Sequence, residues 1–355
     1  MVSSVWQIWA AVVVAILLAV VFLWLAIRAV RRSPERRVAR SLGWWLAAVL
    51  AVTVALMGIG GASSGYFTSW RSVGLLLQAA FGADPDPLPP GERVRPVRAT
   101  TNERGSVVEV MIPSTSPGVP DADSFVYLPP GYSQGAQEDY PIAYLMHGSP
   151  GYASDWFGAA DLDGALDDLI STGALPAMIV LAPDMDLGRA SEPVNYPGEG
   201  PQRATFFTQD VRSWAADHLP VRAAADQQVI GGMSAGGLGA LTIGLGEGLG
   251  EFGGILSIMP YLTPEAAVVR GDPEALAAAS PLPVIAAAGD LDGMPIYLGI
   301  PSVDGTGEGE QIAEALLAAG ADVELHVVPG GHDWEAARLL ALDGLPRLVA
   351  DLGWQ

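Results

Sequence analysis

The segment that most constrains the fold is residues 231–237, which read Gly-Gly-Met-Ser-Ala-Gly-Gly and follow the apolar run 228–230. They contain a G-x-S-x-G pattern and lead into the small-residue segment 238–243. In this context the serine occupies a sharp turn between a strand and a helix, and the turn pushes its hydroxyl clear of the backbone. The flanking glycines leave room where strand and helix approach each other. The segment therefore predicts a strand–turn–helix unit with Ser234 as a candidate nucleophile.

A second G-x-S-x-G match occurs at residues 61–65. It ends an apolar run instead of joining a strand to a helix, so it lacks the context that exposes the hydroxyl. With 43 glycines in 355 residues, a chance match of this short pattern is unsurprising. Position in the fold therefore favours Ser234 over Ser63.

Apolar runs of strand length alternate with helical patterns from about residue 105 onward. The predicted strands are 107–112, 125–128, 142–146, 178–182, 228–232, 254–259, 284–288 and 323–328. The predicted helices are 162–171, 205–218, 238–246, 273–279, 308–319 and 334–352. This alternation implies an α/β fold with a mostly parallel sheet and helices on both faces, in which functional residues lie at the carboxyl ends of strands.

A serine hydroxyl is a weak nucleophile at neutral pH and needs a positioned base, normally a histidine held by a carboxylate. The chain has four histidines. His332 follows the predicted strand 323–328 and a Pro-Gly-Gly turn, so we expect it at the carboxyl edge of the sheet as the general base. Structural roles are predicted for the other three, with His218 at a helix end, His326 inside a strand and His147 orienting a loop.

The carboxylate that holds His332 is expected after the predicted strand 284–288. The sequence there offers both Asp290 and Asp292. Asp292 is the leading candidate for the acid, and Asp290 is the alternative. The resulting order of serine, aspartate and histidine along the chain is that of an α/β-hydrolase.

Acyl transfer also requires hydrogen-bond donors aimed at the developing oxyanion. One predicted donor is the N–H of Ala235, the residue after the nucleophile. The other is expected from the loop 147–151, where Pro150 has no N–H and the amide of Ser149 is the candidate.

No cofactor or metal is expected. The acidic residues at 161–164 and 167–168 lack the further ligands of a calcium-binding EF-hand loop, and they are interpreted as a helix start and a solvated face. No phosphate-binding glycine loop and no metal-ligand cluster is evident.

The first 83 residues are predicted to be a membrane anchor. Residues 5–27 and 42–60 are apolar and long enough to cross a bilayer, and six arginines lie between them at 28–40. The positive-inside rule places that loop in the cytoplasm and the rest of the chain outside, at the plasma membrane. A proline-rich linker at 84–104 then leads to a catalytic domain at 105–355. Residues 66–81 are predicted to form either an interfacial helix or the first helix of that domain.

The formal net charge of −21 argues against nucleic acid as a partner, because the chain would repel its phosphates. The chain has no cysteine, so disulfides and thiol chemistry are excluded. The expected partners are the membrane and an ester substrate, either a small molecule or a component of the cell envelope.

Four segments together resemble one esterase family of the α/β-hydrolases, which includes esterase D, feruloyl esterases, enterochelin esterases and antigen 85 mycolyltransferases. These segments are 144–151, 206–211, 230–237 and 328–334. The resemblance covers roughly residues 105–353 and implies a triad of Ser234, Asp292 and His332. The mycolyltransferases use a glutamate as the acid, and the aspartate expected here weakens the assignment of this chain as a mycolyltransferase. The basic residues are all arginine, a composition that resembles high-GC actinobacterial proteins.

The sequence thus predicts a membrane-tethered serine esterase that forms an acyl-enzyme on Ser234. The alternative on the same triad is an acyltransferase that moves an acyl group to a sugar or lipid hydroxyl, and a binding module without catalysis is the third hypothesis. A transferase needs a second pocket for its acceptor. The segment 184–202 is predicted either to line such a pocket with Arg189, Glu192 and Asn195 or to be a rigid surface loop.

Overall fold

A computed structural model describes residues 2–32, 37–63, 104–132, 139–186, 192–303 and 306–354. The chain divides into two compact units, residues 1–85 and 86–355.

The first unit contains two long helices, α1 (Val2–Arg32) and α2 (Arg37–Ser63). They pack against each other, and the rings of Phe22 and Trp44 stack at a centroid distance of 5.8 Å. No helix in the described part of the chain is both long and apolar enough to cross a membrane. The candidate linker and the predicted helix at 66–81 lie in residues 64–103, outside the described part.

The second unit is built on one eight-stranded sheet in the order β1-β2-β4-β3-β5-β6-β7-β8. The strands are β1 (Ser106–Ile112), β2 (Ala122–Leu128), β3 (Ile142–Met146), β4 (Ile179–Ala182), β5 (Gln228–Met233), β6 (Gly254–Ile258), β7 (Pro295–Pro301) and β8 (Asp322–Val328). The pairs β1–β2 and β2–β4 are antiparallel, and all the other pairs are parallel. The carboxyl ends of β3, β5, β6, β7 and β8 therefore share one edge of the sheet.

Helices cover both faces of this sheet. They are α3 (Asp155–Gly158), α4 (Leu162–Ser171), α5 (Arg203–Thr205, Phe206–Val211 and Arg212–His218, the middle stretch π-helical), α6 (Ala235–Gly244), α7 (Ala267–Arg270), α8 (Pro273–Ala278), α9 (Pro281–Ala288), α10 (Thr306–Ala318) and α11 (Trp334–Asp351). One hydrophobic core lies between the sheet and α5, α6, α9 and α10. A second core lies between the opposite face and α3, α4 and α11. The predicted α/β fold with a mostly parallel sheet is confirmed.

One predicted strand is wrong. Residues 284–288 belong to helix α9, and the strand is β7, farther along the chain. A short apolar run does not distinguish a buried strand from a buried helix. The alanines at 286–288 favour a helix, and Pro281 occupies its first turn, where a missing N–H costs nothing. In β7 the buried side chains include the β-branched and aromatic residues that favour strands, Ile296, Tyr297 and Ile300.

Candidate active site

Ser234 sits at the turn between β5 and α6, with φ 57° and ψ −117°. A positive φ is strained for a residue with a side chain, and the surrounding hydrogen bonds hold it in place. The Ser234 N–H donates to Ile258 O at 2.8 Å, and Ser234 O accepts the Leu238 N–H at 2.9 Å. The side chain is half-buried. The predicted strand–turn–helix unit is confirmed.

Glycines around this turn allow backbones to approach each other more closely than side chains would permit. A Cβ on Gly232 would lie 2.5 Å from the carbonyl carbon of Gly236. A Cβ on Gly236 would lie 2.7 Å from His147 O, and one on Gly237 would collide with Ile258 O. The turn is therefore pressed against the ends of β3 and β6, which fixes its position.

The segments that carry the two predicted oxyanion donors both reach Ser234. Ala235 is the first residue of α6, so its N–H belongs to the helix start, where amides have no partner within the helix. The loop after β3 reaches the same turn, because a Cβ on Gly148 would lie 3.2 Å from Cβ of Ser234. Ser149 follows directly in the chain. This arrangement brings the loop that contains Ser149 and the amino end of α6 next to Ser234.

His147 is buried and binds the loop around it, the structural role predicted from the sequence. Its Nδ1 donates to Gly148 O at 2.8 Å, and its Nε2 accepts the Met185 N–H at 3.0 Å. Nε2 also lies 3.2 Å from Oδ1 of Asp184. Burial lowers the pKa of His147, but the hydrogen bond and charge of Asp184, the Gly148 carbonyl and the charge of Asp155 together raise it by more, so the net direction is upward. These contacts join the ring both to its own loop and to the segment after β4, so His147 orients the loop.

His332 lies half-buried in the loop after β8, at the same sheet edge as Ser234. The Gly330 carbonyl accepts the Val303 N–H at 3.3 Å. Asp333 caps α11 by accepting the Ala336 N–H at 2.8 Å. Trp334 packs edge-on against Trp156, at 5.0 Å between centroids. The His332 loop is thus anchored on both sides, which favours a fixed imidazole.

The structure contradicts the assignment of Asp292 as the acid. Asp292 precedes β7, whose first residue pairs with Asp322 at the start of β8. It lines a recess of about 450 Å³ together with Asp226 and Asp351, at the amino edge of the sheet. Seven strand residues at about 3.3 Å each put this edge roughly 20 Å from the carboxyl edge. Asp290, whose carboxylate accepts the Asp292 N–H at 3.1 Å, also lies at the amino edge of the sheet, away from His332.

The error has one physical origin. Residues 284–288 are helical and the strand is β7, so Asp290 and Asp292 precede the strand instead of following it. The residues that do follow β7 are Ser302, Val303 and Asp304. Asp304 lies outside the described residues. The apolar segment 296–300 is rich in strand-forming residues, and it is the sequence signal from which β7 could have been predicted.

The predicted acceptor pocket is only partly tested. Arg189 lies outside the described residues. Glu192 is buried and accepts hydrogen bonds from the Tyr261 hydroxyl at 2.6 Å and from the Glu265 and Ala266 amides at 2.7 and 3.0 Å. This contact ties the loop after β4 to the loop after β6. Glu192 therefore acts as a bridge between two loops.

Asn195 also serves an internal contact. Its amide nitrogen donates to Oγ1 of Thr205 at 2.9 Å and to Oε1 of Glu247 at 2.6 Å. Its oxygen accepts the Thr205 N–H at 3.1 Å. For the described residues of segment 184–202, these contacts favour the interpretation as a rigid loop.

The remaining histidines have the structural roles that were predicted. His218 ends α5, stacks on Trp214 at 4.9 Å and lies 2.9 Å from its carbonyl oxygen. His326 lies within β8, where Nε2 contacts Glu324 at 2.8 Å and Nδ1 contacts Asp343 at 3.1 Å. Among the residues that the structure describes, no cluster of histidine and acidic side chains could hold a metal ion.

Comparison with known proteins identifies the class. The family model described as "Putative esterase" matches residues 121–344. This match covers more than half of the chain, so the chain belongs to this esterase family. The matched region contains β2 to β8 and both Ser234 and His332.

Solved structures share the fold. A ferulic acid esterase is similar with 20% identity and a TM-score of 0.59, over 70% of this chain and 99% of that one. An S-formylglutathione hydrolase from Agrobacterium tumefaciens is similar with 16% identity and a TM-score of 0.60, over 73% of this chain and 100% of that one. An enterobactin esterase from Shigella flexneri is similar with 21% identity and a TM-score of 0.54, over 75% of this chain and 63% of that one. At these identities the likeness concerns the fold alone.

A sequence relative is an uncharacterised protein of Corynebacterium glutamicum, 27% identical over 145 residues. The match covers 40% of this chain and 34% of that protein. The chain thus spans about a third of the length of this relative.

Proposed function

We propose that this protein is a serine carboxylic ester hydrolase that works through an acyl-enzyme on Ser234. The observation that carries the proposal is the conformation of Ser234, held at φ 57° at the first turn of α6 with the Gly148 loop packed against it. A strained backbone at this turn has a structural cost, and such strain clusters at functional sites. Membership of the esterase family supports the same class.

In the proposed reaction, the His332 imidazole takes the Ser234 proton as Oγ bonds to the ester carbonyl carbon. The carbonyl electron pair moves onto oxygen, where the amides of Ala235 and Ser149 donate to it. The bond to the alcohol oxygen then breaks, and the imidazolium returns the proton to the leaving alkoxide. Water repeats the sequence on the acyl-enzyme and releases the acid.

We propose Asp304 as the carboxylate that orients His332, in place of Asp292. The support comes from the described residues that precede it in the chain. The Ser302 N–H donates to Val328 O at 2.8 Å, and the Val303 N–H donates to Gly330 O at 3.3 Å. A Cβ on Gly331 would lie 3.8 Å from Cγ2 of Val303. The chain therefore reaches the His332 loop one residue before Asp304, and consecutive Cα atoms are only about 3.8 Å apart.

The test compares matched substitutions in the full chain. Ser234→Ala should abolish ester hydrolysis and fluorophosphonate labelling, a loss on the order of 10⁴-fold or more, whereas Ser63→Ala should change neither. Asp304→Asn should lower kcat by roughly 10³- to 10⁴-fold, because the imidazole loses its orienting charge. Asp292→Asn should stay within about threefold of the native protein, since Asp292 lies at the far edge. A fully active Ser234→Ala protein, correctly folded, would falsify the proposal.

We propose hydrolysis in preference to acyl transfer, on a short or medium acyl ester of a small molecule or of the cell envelope. The support is that Glu192 and Asn195 are engaged within the protein, which weakens the case for a separate acceptor pocket. Incubation of the enzyme with a model ester and excess glycerol or trehalose separates the two. Free acid should dominate, and mostly transferred ester would establish the transferase.

We also propose that α1 and α2 tether the catalytic domain to the outer side of the plasma membrane. Both helices expose large apolar side chains, including Leu17, Val20 and Leu50, which lipid would cover. The arginines at 28–40 favour a cytoplasmic loop. A periplasm-active reporter fused after Gly91 should be active, and one fused within residues 31–40 should be silent. The reverse pattern would place the domain in the cytosol.

A further inference from the structure

Asp186 binds the loop that carries the second proposed oxyanion donor. Its Oδ2 accepts the Ser149 hydroxyl at 3.1 Å and the Gly151 N–H at 3.2 Å. One carboxylate oxygen therefore holds the residues on both sides of Pro150. Asp186 is only 2% exposed, so bulk water does not compete for these bonds.

The backbone of Asp186 is itself fixed in place. The Asp186 N–H donates to Oδ1 of Asp184 at 2.9 Å. The Asp184 N–H points to the hydroxyl of Ser124 on β2 at 3.3 Å, and its Oδ1 lies 3.2 Å from Nε2 of His147. The segment after β4 thus holds the loop after β3 at both ends, at His147 and at the Ser149 and Gly151 pair.

Oxyanion donors act only when they are placed before the reaction begins. The Ser149 amide belongs to a loop without regular secondary structure, so its position depends on such side-chain contacts. A displacement of about 1 Å in a reacting group can cost on the order of 100-fold in rate. The Gly148 contact fixes the start of the loop against Ser234, and the Asp186 contacts fix the residues that follow.

We propose that Asp186 is a positioning residue that holds the Ser149 amide in its oxyanion-binding place. The proposal rests on the proposed serine esterase function. Asp186 acts through Ser149 and Gly151. The hydrogen-bond-accepting oxygen, and not the negative charge, performs this role, because a charge beside a developing oxyanion would disfavour it.

The experiment measures hydrolysis of p-nitrophenyl acetate by the full-length protein in detergent. Asp186→Ala removes the acceptor for both bonds and should lower kcat by about 10- to 100-fold with KM within threefold, because the lost contact matters in the transition state. Asp186→Asn keeps an oxygen in the same place and should retain at least a third of the native kcat. A trifluoromethyl ketone, which forms a tetrahedral adduct on the serine, should bind Asp186→Ala more weakly by the same factor as the loss in kcat/KM.

Asp210→Ala is the matched control. The Asp210 carboxylate also holds a loop, since its Oδ2 accepts the Ser116 hydroxyl at 2.8 Å and the Ser116 N–H at 3.1 Å. It binds the segment after β1, four strand positions from β5. Its substitution should lower thermal stability while kcat stays within twofold.

Three results would overturn the inference: native kcat in Asp186→Ala, an unchanged affinity for the trifluoromethyl ketone, or equal damage in Asp186→Asn and Asp186→Ala. Fluorophosphonate labelling separates this failure from that of the proposed function. If the native protein is not labelled, both proposals fall. If it is labelled and Asp186→Ala turns over normally, only the positioning role is lost.

Discussion

Gly236→Ala should damage both stability and catalysis, although alanine is the better helix former. Gly236 is the second residue of α6. The added methyl would lie 2.6 Å from the carbonyl carbon of Met146 and 2.7 Å from His147 O, whereas ordinary contact begins at 3.4 Å. These are backbone atoms at the end of a buried central strand, so they cannot rotate away as a flexible side chain could.

The magnitude follows from two opposing effects. Replacing glycine by alanine in a helix gains about 1 kcal/mol. Forcing a methyl into a packed core costs about 1–3 kcal/mol or more, and a clash with strand backbone belongs at the upper end. The net destabilisation is about 2 kcal/mol, which lowers Tm by about 4–8 °C for a domain of this size. The strand end that must move leads directly into the oxyanion loop, so kcat should also fall by roughly 100-fold.

The assay is calorimetric Tm together with p-nitrophenyl acetate turnover, and Gly164→Ala in α4 is the control. Gly164 is exposed, and the nearest atom to its added methyl is 4.0 Å away. That substitution should therefore stabilise the protein by about 0.5–1 kcal/mol without changing turnover. A Gly236→Ala protein with native Tm and native kcat would refute the close-approach argument.

Two further predictions concern buried contacts. Burial and neighbouring carboxylates raise the pKa of Tyr127, Tyr261 and Tyr297, so the folded protein keeps phenolic protons that the unfolded chain loses near pH 10. The free energy of unfolding that these tyrosines contribute should be fully present below pH 10 and fall above it by about 1.4 kcal/mol per pH unit for each tyrosine. Urea unfolding of Tyr297→Phe between pH 9 and 11 should show a pH dependence of this free energy that is smaller by one proton. Glu192→Ala leaves the Tyr261 hydroxyl and two amides without their acceptor, so the free energy of unfolding should drop by about 1–3 kcal/mol; an unchanged denaturation midpoint would contradict the bridging role.

The sequence allowed the nucleophile turn and the histidine loop to be placed, because each combines an apolar strand with a glycine-rich turn. The strand predicted at residues 284–288 is wrong, because the apolar sequence of a buried, alanine-rich helix resembles that of a buried strand. That single error moved the acid to the wrong edge of the sheet, since Asp292 precedes β7 instead of following it.

The role of Asp186 could not be predicted in the same way. Its contacts depend on β4 lying next to β3, and strand order is a property of tertiary packing. No local pattern around Asp186 distinguishes it from the many other aspartates of this acidic chain. Loop-to-loop hydrogen bonds of this kind become visible only when the sheet is assembled.

The Glu192 bridge has a consequence for how such an enzyme can be redesigned. A replacement loop after β4 that lacks Glu192 would leave the Tyr261 hydroxyl and the amides of Glu265 and Ala266 without their hydrogen-bond acceptor. A replacement loop after β6 would in turn leave a buried carboxylate without donors. The two loops, almost seventy residues apart in the chain, are therefore one exchangeable module. An exchange of one loop should therefore include the other, while the glycine-lined turn that holds Ser234 is left untouched.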